Sequence, residues 1–165
     1  LSDFFRISLN QGQDILDVKE ELQHVRSYLE IQQMRYQDIL QYEICVPEEL
    51  NHCRIPKITL QPLVENALYH GIKNKRGKGM IRIDGAWDGE DCILRITDNG
   101  RGMTPERLEQ VREGIRNRNV RETDIYGLYN VNERIRLNFG ENYSITITST
   151  YGEGTCVTVR LPGCL

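Results

Sequence analysis

From Leu60 to Lys73 the chain reads LQPLVENALYHGIK, with apolar residues at Leu60, Leu63, Val64, Ala67 and Gly71. That is the spacing of a helix whose one face rests on a core. Its other face carries Asn66, Tyr69, His70 and Lys73, a neutral carboxamide, a phenol, an imidazole and an ammonium. Such a set makes a poor solvated face and a good wall for a metal–phosphate group, because a carboxamide oxygen can ligate magnesium without adding charge. Upstream, Leu1, Phe4, Phe5 and Leu9 recur at near-helical intervals before Asn10-Gln11-Gly12, which reads as the tail of a helix. Asp17 and Glu20 have the spacing of a capping box and launch a second helix in which Ile15, Val18, Leu22, Val25 and Leu29 recur every three or four residues. The stripe is narrow enough for a seam with another helix. Gln32 interrupts it, which leaves packing on the chain's own body as the alternative. Alternation then predicts a strand over Ile39 to Val46, with Tyr42, Ile44 and Val46 on one side, ended by Pro47; Pro47 to Pro56 reads as a connector.

Beyond the basic loop Lys73 to Gly79, two strands are predicted, Met80 to Trp87 and Cys92 to Asp98, around the turn pair Asp88-Gly89. Period-two alternation puts Cys92, Leu94, Ile96 and Asp98 on one face, so a carboxylate ends an apolar row. Asn99-Gly100-Arg101-Gly102 follows it. An acid beside two residues without Cβ suits a flat heterocycle, whose exocyclic amine can donate to Asp98. Thr104 and Pro105 start a short helix to about Glu113, and the arginine-rich, non-periodic Gly114 to Asp124 has the character of a mobile functional loop. Tyr126 to Phe139 returns to helix, with Leu128, Val131 and Ile135 inward and Gly140 at the end. Gly127 and Leu128 near its start offer amide donors and the positive end of a helix dipole to phosphates. Ser144 to Thr150 and Thr155 to Leu161 alternate as a final strand pair, and Thr155 falls on the core side, where Asp98 also points.

A chain of 165 residues holds one well-buried domain and an appendage. It begins at Leu1 without an initiator methionine, which reads as a piece of a longer protein. A net charge of -3 argues against a nucleic-acid surface. No apolar run approaches the roughly 20 residues of a membrane-spanning helix, so membrane contact is not expected of this piece. Five cysteines without a C-x-x-C pair read as reduced cytosolic packing residues. A zinc site from Cys45, His52 and Cys53 lacks an evident fourth ligand.

Four boxes, LVENALYHGI, TDNGRGM, YGLYNV and GEGTCVTVRLP, stand in the order and spacing of the ATP-binding domain shared by histidine kinases, DNA gyrase and heat-shock chaperone ATPases. The resemblance covers about Tyr42 to Leu161. Within that superfamily, LQPLVENA, YGLYNVNERIRLNFG and EELQHVRSYLEIQQMRY resemble the YesM/LytS-like bacterial sensor histidine kinases. The resemblance implies an α+β fold, a two-layer α/β sandwich: a mixed, mainly antiparallel sheet with helices on one face, preceded by a helix from the dimerisation region. Residues 1–40 would be the remnant of that region and 41–165 the catalytic ATP-binding domain. It makes Asn66 the magnesium ligand and Asp98 the acceptor for the adenine amino group. Gly100 and Gly102 would line the adenine, with Thr155 reaching it through Asp98 or a water, and Met103 is counted among the nucleotide-binding residues. Tyr69, His70 and Lys73 would lie along the nucleotide, and Gly127 and Leu128 would close a lid over the phosphates. The implied cofactors are ATP and Mg2+. The implied partners are a response regulator and a second copy of the parent kinase, with no nucleic acid, in the cytoplasmic part of a membrane-bound sensor. Two departures stand out. Ile125 occupies the first glycine of the family's second glycine box, and Pro62 stands where gyrase-like ATPases carry the glutamate that activates water. Glu65, beside Asn66, is the remaining carboxylate in the box, with catalysis, support or packing as its roles. The resemblance thus favours phosphoryl transfer to an upstream histidine, against a gyrase-type hydrolytic module or an interaction module with a residual pocket.

Overall fold

The computed structural model describes residues 14–72, 77–117 and 122–163. The helical tail expected over Leu1 to Leu9, Cys164 and the start of the basic loop, Lys73 included, lie outside the described residues. In chain order the elements are β1 (Ile15–Asp17), α1 (Val18–Arg35), β2 (Leu40–Cys45), β3 (Arg54–Pro56), α2 (Leu60–Asn66, continued by a π-helical turn over Ala67–Ile72), β4 (Gly79–Asp88) and β5 (Asp91–Asp98). They continue with α3 (Pro105–Arg116), α4 (Thr123–Phe139), β6 (Ile145–Thr150) and β7 (Gly154–Pro162).

Five strands form one sheet in the order β2-β4-β5-β7-β6, and β1 pairs with β3 in a small ribbon. β2 runs parallel to β4, while the other neighbours are antiparallel. The mixed, mainly antiparallel sheet is therefore as the resemblance implied. Alternation decides which face is covered. Cys92, Leu94, Ile96 and Asp98 of β5 are buried together with Ile81 and Ile83 of β4 and Val157, Val159 and Leu161 of β7. The opposite face carries ion pairs, Arg82 to Glu43 at 3.3 Å and Arg95 to Asp84 at 2.6 Å. The four described α-helices contribute to a single core against the apolar face, through Leu63 and Val64 of α2, Leu108 and Val111 of α3 and Val131 and Ile135 of α4, with α1 joining them.

α1 joins that core and does not leave its stripe as an open seam. Val18, Val25 and Leu29 are fully enclosed. At about 1.5–3 kcal/mol for each buried aliphatic side chain, this face holds α1 on the body. Three local expectations are corrected. Ile15 lies in β1 and not in the helix. Asp17 occupies the N-cap position without a side-chain cap bond; its carboxylate instead takes Arg54 Nη1 at 2.7 Å, a partner brought by β1–β3 pairing that local spacing cannot reveal. The Pro47 to Pro56 connector contains a 3-10 turn, Glu48–Leu50, and β3.

The Thr104-Pro105 helix start is as expected, with Thr104 Oγ1 accepting the Arg107 N–H at 3.2 Å. α3 runs on to Arg116 because Ile115 keeps its apolar face buried, and α4 begins at Thr123. The described parts of the loop expected over Gly114 to Asp124 are thus mostly helical, with 118–121 outside the described residues. Gly127 consequently sits in the second turn of α4, where the backbone amides are already engaged within the helix; the leading N–H groups belong to Thr123, Asp124 and Ile125.

Candidate nucleotide site

α2 starts as an ordinary helix and changes pitch where the polar residues begin. From Ala67 to Ile72 its hydrogen bonds close five residues apart instead of four. Leu68 and Ile72 then join Ala67 and Gly71 in the interior, while Tyr69 and His70 stay exposed.

A cavity of about 370 Å³ lies between this turn, the end of β5, α3, the start of α4 and the β6–β7 ribbon. Asp98 forms its floor at 6% exposure. Asp98 Oδ1 accepts the Gly100 N–H at 2.9 Å, and the residue stands in register with Thr155 on β7. Ser149 Oγ accepts the Met103 N–H at 2.8 Å and lies 2.9 Å from Gly154 O and 2.8 Å from Thr155 Oγ1. Ser149 has one hydroxyl hydrogen, so with Gly154 O as its acceptor, Thr155 donates to Ser149. The hydroxyl pair thereby fixes the backbone at Met103 to the sheet.

The glycines around Asp98 serve close approach between protein segments. A methyl at Gly71 would lie 2.6 Å from Asp98 Oδ1, one at Gly100 would enter the backbone of Gly71, and one at Gly102 would strike Thr150 O. Gly102 also sits at φ +71°, where a side chain is strained. Gly100 therefore exists to let the loop lie on the π turn, an arrangement tied by Arg101 N–H to Gly71 O at 3.2 Å. It does not line the cavity, as the adenine assignment expected.

Of the other residues expected at the site, Asn66, His70, Asp98, Gly102, Met103, Leu128 and Thr155 line this cavity. Glu65, Tyr69 and Gly127 line a shallower groove of about 260 Å³ on the outer side of Asn66 and His70, together with Pro62 and Asp124. Lys73 falls outside the described residues. Glu65 Oε1 accepts from Gln61 Nε2 at 2.9 Å, and Gln61 Oε1 lies 2.9 Å from His24 Nε2. On the same side, burial first and then the Glu65 charge push the Tyr28 phenol up to about 12. Glu65 is thus held by Gln61 on the side of α2 that faces α1, away from the main cavity.

Sequence reasoning missed Arg107, Val111, Asp124, Ile147 and Tyr151, which line the cavity from elements distant in the chain. Two of them make charged contacts around the start of α4. Asp124 Oδ1 lies 3.0 Å from His70 Nε2, linking α4 to α2. Arg107 of α3 forms a two-pronged pair with Glu122, one prong at 3.0 Å. The Arg107 hydrogen bond holds the Glu122 carboxyl below its ordinary range. The signal for these pairs was opposite charges flanking the loop, which fixes no partner by itself.

The residues present fit a purine nucleotide. Met103, Val111, Ile125, Leu128 and Ile147 supply apolar wall, a buried carboxylate supplies one acceptor, and Asn66 and His70 add a carboxamide and an imidazole. Apolar lining with a few convergent polar groups is the general form of such sites. Among the described residues no group of three or more His, Cys, Asp or Glu side chains converges on a metal position. The zinc alternative gains no support, since Cys53 is buried and Cys45 exposed.

The model of the "Histidine kinase-, DNA gyrase B-, and HSP90-like ATPase" family matches residues 56–164, and that of the "Histidine kinase" family matches residues 1–40. The sensor histidine kinase YesM of Bacillus subtilis is 35% identical over 164 residues, covering 98% of this chain and 26% of that protein. The sensor histidine kinase BtsS of Escherichia coli is 33% identical over 162 residues, again covering 98% of this chain and 26% of the relative. The chain therefore spans about a quarter of the length of these relatives. Among solved structures, the catalytic domain of histidine kinase ThkA superposes with a TM-score of 0.65 at 13% identity, covering 90% of this chain and 95% of that one. That likeness shows the fold. With the ATPase family model matching from β3 to the end of β7, the chain belongs to the histidine kinase-, DNA gyrase B-, and HSP90-like ATPase family.

Proposed function

We propose that the chain is the ATP-binding catalytic domain of a sensor histidine kinase, which transfers the γ-phosphoryl group of magnesium–ATP to a histidine upstream of residue 1. In this reading residues 1–40 are the end of the dimerisation region and 41–165 the catalytic domain. The observation that carries it is the buried Asp98 carboxylate, set at the floor of a cavity with apolar walls and Asn66 at one end. Asp98 would accept from the adenine amino group, with Thr155 steadying that side of the pocket through Ser149. Asn66 would hold magnesium through its carboxamide oxygen, and the metal would neutralise charge developing on the phosphates. His70 and Tyr69 would lie toward the phosphate end. The π turn and the Gly71–Gly100 contact keep Asp98 and Asn66 at fixed separation, which is the positioning that phosphoryl transfer requires of a protein.

In the transfer itself, an imidazole nitrogen of the acceptor bonds to the γ-phosphorus as the bond to the β–γ bridging oxygen breaks, and ADP leaves. Two of the chain's own histidines are poorly placed as acceptors. His70 is held at Asp124, and His24 is bonded to Gln61 on the far side of α2. Pro62, in the outer groove, offers no base for water, which favours transfer over hydrolysis. A response regulator would take the phosphoryl group onward, and the parent would act as a homodimer of a membrane-bound sensor whose cytoplasmic part holds this domain.

The test is a calorimetric titration with a non-hydrolysable magnesium–ATP analogue. Saturable one-to-one binding, lost in Asp98→Ala, is the expected result, and no binding overturns the reading. Extending the chain upstream to include the acceptor helix should give acid-labile label from γ-labelled ATP. Fast ATP turnover by the unextended chain would favour the hydrolytic module instead.

A further inference from the structure

Glu21 of α1 is 1% exposed, a carboxylate fully inside the protein. Its Oε1 accepts the Ile58 N–H at 2.7 Å, and its Oε2 accepts the N–H groups of Thr59 and Leu60, each at 3.2 Å. Those of Thr59, the cap residue, and Leu60 are the leading amides of α2, which have no partners within their own helix, and Ile58 is the residue just before the cap. Thr59 occupies the cap position yet does not cap; its hydroxyl donates to Pro56 O at 2.6 Å. A helix that lacks its own cap thus takes one from another helix 37 residues upstream. The carboxylate also meets the positive end of the α2 dipole, which adds to the attraction.

The turn that receives it is unusual. Ile58 has φ +59°, a conformation that a β-branched residue adopts only when its surroundings enforce it. The enforcement comes from two sides. Glu21 holds the Ile58 N–H, while Arg134 of α4 donates to Ile58 O at 3.1 Å and to Lys57 O. Three elements therefore meet at residues 57–59: α1, which leads in from the upstream chain, α2, which carries Asn66, and α4, whose first turn borders the cavity. Asn66 follows Leu60 by six residues of regular helix, about 9 Å along the axis. Any tilt or shift imposed at the start of α2 is carried rigidly to Asn66.

We propose that Glu21 is a positioning residue for the nucleotide site, through which the placement of α1 sets where α2 holds Asn66. This rests on the proposed role of Asn66 at magnesium. It makes the affinity for the metal-bound triphosphate depend on a contact that touches neither metal nor nucleotide.

The test titrates the full chain with magnesium–AMPPNP and, separately, with ADP in the presence of a chelator. Glu21→Gln keeps the shape but turns an amide NH2 toward the backbone donors, and Glu20→Gln, on the exposed neighbour, is the control. The inference expects Glu21→Gln to weaken magnesium–AMPPNP binding about ten-fold or more, the size of an ordinary coupling between sites, with metal-free ADP affected several-fold less. Equal losses in the two titrations, or no loss, would overturn it and leave Glu21 as a stabilising cap. A second measurement needs no variant: hydrogen exchange at Ile58, Thr59 and Leu60 should slow with magnesium–AMPPNP and not with ADP alone, since coupling is reciprocal. Unchanged exchange with both ligands counts against the inference even if Glu21→Gln fails to fold. Failure of the wild-type chain to bind magnesium–AMPPNP overturns the proposed function, and this inference with it; wild-type binding with an unaltered Glu21→Gln profile overturns the inference alone.

Discussion

Gly71→Ala is the smallest substitution that should disable the proposed base-recognition end of the cavity without touching Asp98 itself. The new methyl carbon would lie 2.6 Å from Asp98 Oδ1, 2.8 Å from Cγ and 3.1 Å from Oδ2, against an optimal separation of about 3.5–4.0 Å between non-bonded atoms. One side must move by about an ångström. If the carboxylate rotates, it gives up the Gly100 N–H bond at 2.9 Å and its aim into the cavity; a hydrogen bond to a charged group is worth about 1.5–3 kcal/mol. If the π turn moves, the cost is that of overpacking, about 1–3 kcal/mol, and Asn66 moves with it. Either route should lower nucleotide affinity by about ten- to a hundred-fold, since each 1.4 kcal/mol is a factor of ten. ADP and ATP analogues should suffer alike, because the disturbed contact is the one proposed to the base. The melting temperature should fall by roughly 2–10 °C, as about 1–3 kcal/mol does in a chain of this size. The decisive assay is a double-mutant cycle by calorimetry with ADP. Gly71→Ala acts through Asp98, so in an Asp98→Ala background it should cost little further affinity. Full additivity of the two losses, or undiminished affinity in Gly71→Ala alone, would refute the account of Gly71 as space reserved for the Asp98 carboxylate.

Further outcomes follow from the same geometry. Asn66→Ala should weaken magnesium-dependent nucleotide binding while sparing metal-free ADP binding, and equal loss in calorimetry under both conditions would make Asn66 a fold residue. Gly127→Ala meets open space and should stabilise α4 by about 0.5–1 kcal/mol in thermal unfolding; a fall in nucleotide affinity would instead restore Gly127 to the nucleotide contacts. Arg107 depresses the Glu122 carboxyl in the folded chain, so their pairing stabilises above the ordinary carboxylate pKa and is lost as the pH falls through the depressed one. Glu122→Gln should accordingly be less stable than wild type near neutral pH by about 0.2–1 kcal/mol, a surface-pair value, and the difference should vanish in acid; a pH-independent gap would point to packing.

What could be read from the chain in advance follows from which forces repeat along it. Burial of one sheet face imposes period two on β4, β5 and β7, so the row Cys92, Leu94, Ile96, Asp98 was visible, and with it the oddity of an acid ending an apolar row. The three-and-four spacing of Val18, Leu22, Val25 and Leu29 exposed the stripe of α1 but not its partner, because an apolar stripe is indifferent to what covers it. Residues that act across long separations left no periodic trace. Glu21 reads as one more acid among Glu20 and Glu30 until β1–β3 pairing carries the start of α2 beneath it. Arg134 and Asp124 were silent for the same reason.

The π turn is where the sequence pattern and the structure differ most instructively. On a regular helix Gly71 stands about 140° around from Asn66, which placed the one on the apolar face and the other on the polar face. Hydrogen bonds closing five residues apart bring position i+5 under position i, so Asn66 and Gly71 border the same cavity. The two faces converge at the point where the site is built. The change of pitch is also what lets Gly71 lie against Asp98 and Gly100 while Ile72, one residue on, remains buried. An apolar stripe and a polar stripe that are separate in Leu60–Asn66 are thereby wound into one wall, with the end proposed for the base set by Asp98 through Gly71 and the end proposed for the phosphates by Asn66. Because both ends hang on the same short turn, a disturbance at the cap of α2 and a disturbance at Gly71 should meet in one readout, nucleotide affinity, and separate in another, its dependence on magnesium.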